Sequence, residues 1–265
     1  MDKTDRSRYL FYGLAPLAVY MGINFLIVAI GSRLGWTTEF LNVVAQLANL
    51  SLLYLMFYRT YHKREAAKEA ISAMPVLSGL LVILLGLCCS MAFNGWFSIL
   101  RLTETITTYE EVAESIYSGS QIMIMFRTIF LASFVEELLM RGLCYHALSR
   151  VLGVAAGNVL SALIFGIIHG NLLQGLYAFI LGVLFAFVYE VYGRKLFVPV
   201  LAHISANLVS VLGTTVPSVS LWMSDNFYTL TVLATILLLA AIVGIGIIYR
   251  RAVRMKEQQQ SKDII

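Results

Sequence analysis

Residues 75–99, PVLSGLLVILLGLCCSMAFNGWFSI, form an apolar run that contains no charged side chain. A helix needs about 20 predominantly apolar residues to cross the hydrocarbon core of a bilayer, and this run is long enough to do so. The run therefore predicts a transmembrane helix, and it decides between a soluble and a membrane-embedded fold.

Apolar runs of similar length recur along the whole chain. They lie at about 9–31, 40–58, 75–99, 121–140, 152–170, 173–191, 196–214 and 228–249. Of the 265 residues, 59% are hydrophobic and 13% are charged, whereas about 25% of the residues of a soluble domain are charged. This composition excludes an ordinary soluble enzyme, a disordered tail and a protein that binds nucleic acid. We expect an all-α, polytopic transmembrane bundle of about eight spans, surrounded by the lipid bilayer.

The basic residues predict how this bundle is oriented. If the N-terminus is cytoplasmic and the spans alternate, all but four of the 19 Lys and Arg residues fall in inside segments. Arg33 and Arg101 fall outside, and Arg127 and Arg141 fall within spans. Because Lys and Arg concentrate on the cytoplasmic side of membrane proteins, we expect both termini to be cytoplasmic. The loop at 101–120 then lies outside, and its glutamates are expected to be solvated.

Beyond Arg127, three charged residues interrupt the apolar run that begins at residue 121: Glu136, Glu137 and Arg141. Ionisable residues inside spans are costly and default to a functional role or a buried partner. Glu137 and Arg141 have the i, i+4 spacing of an intrahelical ion pair, which leaves Glu136 without a local cation. A carboxylate in this position is suited to act as a general base. The alternative is a purely structural ion pair beside a protonated Glu136.

Two later spans carry histidines. His169 ends an apolar run between Gly166 and Gly170, and His203 is followed four residues later by Asn207, on the same helix face. Each could be only an interhelical hydrogen-bonding group. Taken together with the glutamates, these residue types suit a site in which a carboxylate and a histidine activate water and a His/Asn pair stabilises an oxyanion.

These residues resemble the motifs of the CAAX protease and bacteriocin-processing family (CPBP, also called Abi or type II CAAX prenyl endopeptidases). The pattern Glu-Glu-x-x-x-Arg, Phe-x-x-x-His, His-x-x-x-Asn stands here in order, over about residues 120–212. Its residues are Glu136, Glu137, Arg141, Phe165, His169, His203 and Asn207. One departure is Met140, where many members of the family have an aromatic residue.

The resemblance implies an intramembrane endopeptidase with a polar cavity that opens toward the cytosol. Glu136 would activate water with help from His169. The oxyanion would be stabilised by His203 and Asn207, and the site would be oriented by Glu137 and Arg141. We expect no cofactor. If zinc is used instead, His169, His203 and either Glu136 or Glu137 would be its ligands, as a two-histidine, one-carboxylate set.

The chain is accordingly divided into three segments. Residues 1–119 are expected to form scaffold spans and the acidic outside loop, 120–212 the catalytic core, and 213–265 the last span and a basic cytoplasmic tail. The expected partner is a membrane-associated peptide or protein substrate, and the sequence predicts no oligomeric state. A bacterial cytoplasmic membrane is favoured, or the endoplasmic reticulum membrane in a eukaryote. The alternatives are a non-catalytic scaffold or immunity protein of the same fold, and a small proton-coupled transporter.

Overall fold

Long helices account for most of the chain in the computed structural model, which describes residues 3–59, 76–102 and 120–262. In chain order they are α1 (Lys3–Arg33), α2 (Thr38–Tyr58), α3 (Val76–Ile99), α4 (121–152), α5 (Val154–Ile167), α6 (Leu172–Val191), α7 (Phe197–Thr215), α8 (Pro217–Asp225) and α9 (Phe227–Lys262). No strand occurs in these three ranges, so the predicted all-α class is confirmed for them. Most of the predicted acidic loop lies outside the described residues.

Six of these helices are long and apolar enough to cross a membrane: α1, α2, α3, α6, α7 and α9. The two others predicted as spans differ from them. Helix α5 has only 14 residues and extends about 21 Å at 1.5 Å per residue, less than the roughly 30 Å of the hydrocarbon core. Helix α4 is interrupted by wide π-helical turns. The count of eight spans therefore stays a prediction.

One face of the bundle is defined by hydrogen bonds between helix ends. The Ser120 backbone N–H donates to Glu39 Oε1 at 3.1 Å, which places the start of α4 beside the start of α2. Gln121 Nε2 donates to the Thr215 carbonyl oxygen at 3.1 Å, so α7 ends there as well. We call this the distal face. Its described basic residues are Arg33 and Arg101.

The other face gathers most of the basic residues, and we call it the basic face. Here Tyr145 of α4 donates its hydroxyl to Glu190 Oε2 at 2.7 Å, and Arg194 pairs with the same carboxylate at 2.9 Å. The described basic residues of this face are Lys3, Arg6, Arg8, Arg59, Arg150, Arg194, Lys195 and Arg250. The folded helix ends thus group as the sequence predicts, and which face meets the cytoplasm stays a prediction.

Small residues let the helices of the bundle approach closely, as is common in membranes. Gly86 of α3 lies against the Ala202 carbonyl of α7, and Gly95 of α3 lies against Thr231 of α9. Helices α5 and α6 make a reciprocal contact of this kind at Gly166 and Gly175. These contacts hold α5, α6 and α7 in place. Helix α7 carries His203 and Asn207, and the turn between α5 and α6 carries His169.

Substitution of Gly166 by alanine is expected to lower the thermal unfolding temperature in detergent. The added methyl carbon would lie 2.6 Å from the Gly175 carbonyl oxygen, so the two helices would have to separate. Overpacking typically costs about 1–3 kcal/mol, which exceeds the roughly 0.5–1 kcal/mol that alanine gains over glycine inside a helix. Gly79→Ala in α3 is the matched control, because nothing lies within 4 Å of its added methyl. An unchanged or higher unfolding temperature for Gly166→Ala would contradict this packing.

Candidate active site

Helix α4 carries the two glutamates between two wide turns. A short α-helical segment, Ser133–Glu137, lies between the π-helical segments Phe126–Ala132 and Leu138–Tyr145. Wide turns of this type rotate the side chains that follow and are frequent at functional sites. The sequence predicts a span with a kinked or interfacial extension after residue 140. The structure continues one helix to Leu152, with a π-helical segment at the predicted position, Leu138–Tyr145, and a second one before the glutamates.

Glu137 is the centre of a buried polar cluster. Its side chain is fully buried, and its Oε1 accepts from Arg141 Nη1 at 3.0 Å and from His203 Nδ1 at 2.8 Å. The ion pair with Arg141 is the i, i+4 pair that the sequence predicts. Because an ionised carboxylate only accepts hydrogen bonds, His203 carries its proton on Nδ1. Glu137 therefore fixes the orientation of the His203 ring.

The Arg141 side chain contacts a backbone carbonyl and two aromatic rings in addition to Glu137. Its Nη2 donates to the Gly182 carbonyl oxygen of α6 at 3.0 Å. Its guanidinium carbon lies 4.9 Å from the ring centroid of Phe165 and 5.3 Å from that of Phe185, both in the range of cation–π contacts. The Arg141 side chain is only 2% exposed. These contacts compensate for its removal from water and join α4, α5 and α6 at the site.

Glu136 differs from its neighbour in its surroundings. Its side chain is 17% exposed, and its Oε2 lies 3.7 Å from His203 Nε2, which is an ion-pair distance but too long for a hydrogen bond. It lines a cavity of about 230 Å³ together with His169, His203 and Asn207. Of the two glutamates, Glu136 is the one whose carboxylate can meet a molecule in the cavity.

His169 lies in the turn between α5 and α6. Helix α5 ends at Ile167, before the predicted end at residue 170, and the turn folds His169 back so that Nδ1 lies 2.7 Å from the Phe165 carbonyl oxygen. Since a carbonyl oxygen only accepts, Nδ1 carries the proton and Nε2 is the acceptor in the neutral ring. Phe165 also contacts both histidine rings edge-on, at centroid distances of 4.8 Å and 6.2 Å. This is how His169 and His203 come to line one cavity, although straight helices would separate them.

Asn207 lines the cavity, and its side chain contacts α4. Its Nδ2 donates to the Thr128 carbonyl oxygen at 2.8 Å and to Ser133 Oγ at 3.2 Å. The Ser133 hydroxyl donates its own hydrogen to Ile129, so it accepts from Asn207. Both amide hydrogens of Asn207 are thereby engaged with α4. These contacts support a role in positioning α7 against the wide turn of α4.

The described residues do not assemble the zinc set that the sequence leaves open. Within them, no group of three His, Cys, Asp or Glu side chains is placed to hold a metal ion together. His203 directs Nδ1 to Glu137, and His169 directs Nδ1 to a backbone carbonyl, which leaves the Nε2 atom of each ring for the cavity. Histidines that bind metals commonly donate their other ring N–H in this way, so the zinc alternative stays open.

The cavity also has lining residues that the motifs do not include. Its wall is completed by polar side chains from α2, α4 and α6: Asn42, Gln46, Arg127, Thr128, Gln174 and Tyr177. A signal for two of them was present in the sequence, because Asn42 and Gln46 are polar residues spaced i, i+4 within an apolar run. Arg127, a charged residue inside a predicted span, was a second signal.

Comparison with known protein families gives a match over the segment that carries the site. Residues 118–209 match the family described as type II CAAX prenyl endopeptidase Rce1-like. This segment contains all three motifs. The matched family is the one that the sequence resembles. A search of curated proteins and a search of solved structures gave no match.

Proposed function

We propose that this chain, in which residues 118–209 form an Rce1-like type II CAAX prenyl endopeptidase segment, is an intramembrane endopeptidase that hydrolyses peptide bonds of membrane-associated substrates. The observation that supports this most directly is the arrangement of the two glutamates. One, Glu137, is buried and used to hold His203, while the other, Glu136, faces a polar cavity within the bundle.

The charges of the cluster can balance inside the bundle. With both carboxylates ionised, Arg141 and a protonated His203 bring the sum over these four residues to zero, and Arg127 adds a positive charge at the cavity wall. Each of the four charges then has an opposite charge close by, at 3.0 Å, 2.8 Å or 3.7 Å. An uncompensated charge in this position would be costly. The carboxylate of Glu136 therefore has His203 as a partner within the cluster.

In the proposed reaction, Glu136 accepts a proton from a water molecule in the cavity as the water oxygen attacks the scissile carbonyl carbon. The resulting tetrahedral intermediate carries its negative charge on the former carbonyl oxygen. Glu136 then returns the proton to the amide nitrogen as the carbon–nitrogen bond breaks, and the products are a carboxylate and an amine. His169, through Nε2, is placed on the same cavity to assist in orienting the water.

We assign the stabilisation of the oxyanion to His203. In its protonated form, Nδ1 donates to Glu137 and Nε2 has a hydrogen to donate into the cavity. Removing one such donor from a hydrolase costs about 10²–10³-fold in rate. Glu137 and Arg141 act through His203 as positioning residues. Asn207, whose amide contacts α4, is proposed to position His203 from the next turn of α7.

Purified protein in detergent or liposomes is expected to cleave membrane-associated peptides, with new termini that mass spectrometry identifies. Because no step passes through a metal, the rate is expected to be unchanged by a chelator. Loss of activity with chelator and its return with zinc would overturn the metal-free mechanism. Absence of cleavage over a broad set of membrane peptides, by protein that is folded, would instead favour a non-catalytic scaffold of this fold.

A further inference from the structure

The open space around the site is distributed unequally between the two faces of the bundle. The cavity lining includes Asn42 and Gln46 near the start of α2, and Arg127 and Thr128 near the start of α4. Both helix starts lie at the distal face, joined by the hydrogen bond between Ser120 and Glu39. Gln174, in the first turn of α6, also contributes to this part of the wall. From Glu136 and His203, the cavity therefore extends toward the distal face.

The side of the site toward the basic face is closed. Every residue of α4 from 137 to 149 is buried. Beyond Arg141, the rings of Tyr145 and Tyr189 are fully buried and meet edge-on, with Leu196 packed against them. The hydrogen bonds among Tyr145, Glu190 and Arg194 tie α4 to the end of α6 at this level. Among the described residues, no lining residue of the cavity comes from this layer.

A second cavity, of about 470 Å³, continues the first one on the same side. The two share Thr128, Gln174, Tyr177 and Asn207. The second is also lined by the distal part of α3, α7 and α9 and by α8, including Asn94, Ser210, Ser224 and Thr231. Its wall mixes apolar side chains with hydroxyl and amide groups. A wall of this kind suits an extended polypeptide, which presents both apolar side chains and backbone hydrogen-bonding groups.

We propose that the substrate is a polypeptide segment that reaches the site from the distal face, through the second cavity, and that this face is the non-cytoplasmic one. The second part follows from the positions of the basic residues, since Lys and Arg concentrate on the cytoplasmic side. The expectation drawn from the family resemblance, a cavity open to the cytosol, would require a substrate whose scissile segment is cytoplasmic. The arrangement here favours an exported peptide or the outer part of a membrane-anchored one.

This proposal rests on the proposed function for the identity of the substrate, but its test does not need catalysis. Single cysteines are introduced at Gln46 and Ser224, which line the two cavities. Arg33→Cys reports the distal face and Asp5→Cys the basic face, and both of these sites are exposed. The native Cys88, Cys89 and Cys144 are buried and free, so the parent chain supplies the background. The probe is a membrane-impermeant thiol reagent applied to intact bacterial cells that express each variant.

We expect Gln46→Cys, Ser224→Cys and Arg33→Cys to be labelled in intact cells, and Asp5→Cys to be labelled only after permeabilisation. If Gln46→Cys does not accumulate, Gln174→Cys serves as the second reporter of the catalytic cavity. Labelling of the cavity cysteines only after permeabilisation would overturn the proposal. This holds whichever face reporter, Arg33→Cys or Asp5→Cys, the reagent labels under the same condition. A chain without peptidase activity would give the same labelling, so the two proposals fail independently.

Discussion

Replacement of Glu136 by glutamine is expected to lower the rate of peptide cleavage by about 10²–10⁴-fold, the range that a positioned general acid–base group contributes. Glutamine keeps the shape of the side chain but accepts no proton from water. Glu136 lines the cavity, and its carboxylate lies 3.7 Å from the side of His203 that Glu137 leaves open. The substitution should therefore change catalysis far more than folding. Initial rates on a membrane-associated peptide, together with the thermal unfolding temperature, measure both effects.

Asp5→Asn is the matched control for Glu136→Gln. It also converts a carboxylate to an amide, but Asp5 is exposed at the basic face and far along the chain from the site. Its cleavage rate should equal that of the unmodified chain. If Glu136→Gln retains more than about a tenth of the rate while folded, Glu136 is not the base, since the loss would fall below the range for general acid–base catalysis.

Replacement of Arg141 by methionine is expected to destabilise the fold by about 3–5 kcal/mol, the cost of removing one partner of a buried ion pair. Methionine fills similar space between Phe165 and Phe185 but leaves the Glu137 carboxylate buried without its cation. The hydrogen bond to the Gly182 carbonyl is lost as well. Thermal or denaturant unfolding in detergent measures the change.

The chain provides a matched control for this substitution in Arg194, which pairs with Glu190 at the same i, i+4 spacing. That pair is partly exposed, with side-chain exposures of 16% and 28%, so Arg194→Met should cost less than Arg141→Met. The double variant Glu137→Gln/Arg141→Met removes both buried charges and should recover much of the stability without recovering the cleavage rate. A loss for Arg141→Met no larger than that for Arg194→Met would contradict a buried, compensated cluster.

Much of the candidate site could be predicted from local sequence. The i, i+4 pair of Glu137 and Arg141 follows from helical geometry alone, and the structure has it at 3.0 Å. The three motifs are specific because their order and spacing agree. The contacts of Asn207 could not be predicted in this way. They depend on Thr128 and Ser133, which lie on another helix and are presented by a π-helical turn that has no sequence signature.

The sequence by itself determined that this protein is helical, membrane-embedded and sorted by charge into two faces. Those properties follow from the length of each apolar run and the positions of Lys and Arg, which are local quantities. Only the tertiary structure decided which glutamate is buried and which faces the cavity, because adjacent residues on a helix point about 100° apart and packing chooses between them. It also decided where the cavity extends. That depends on the burial of α4 from 137 to 149 against α1, α2, α5 and α6, a long-range property that no single segment of the chain contains.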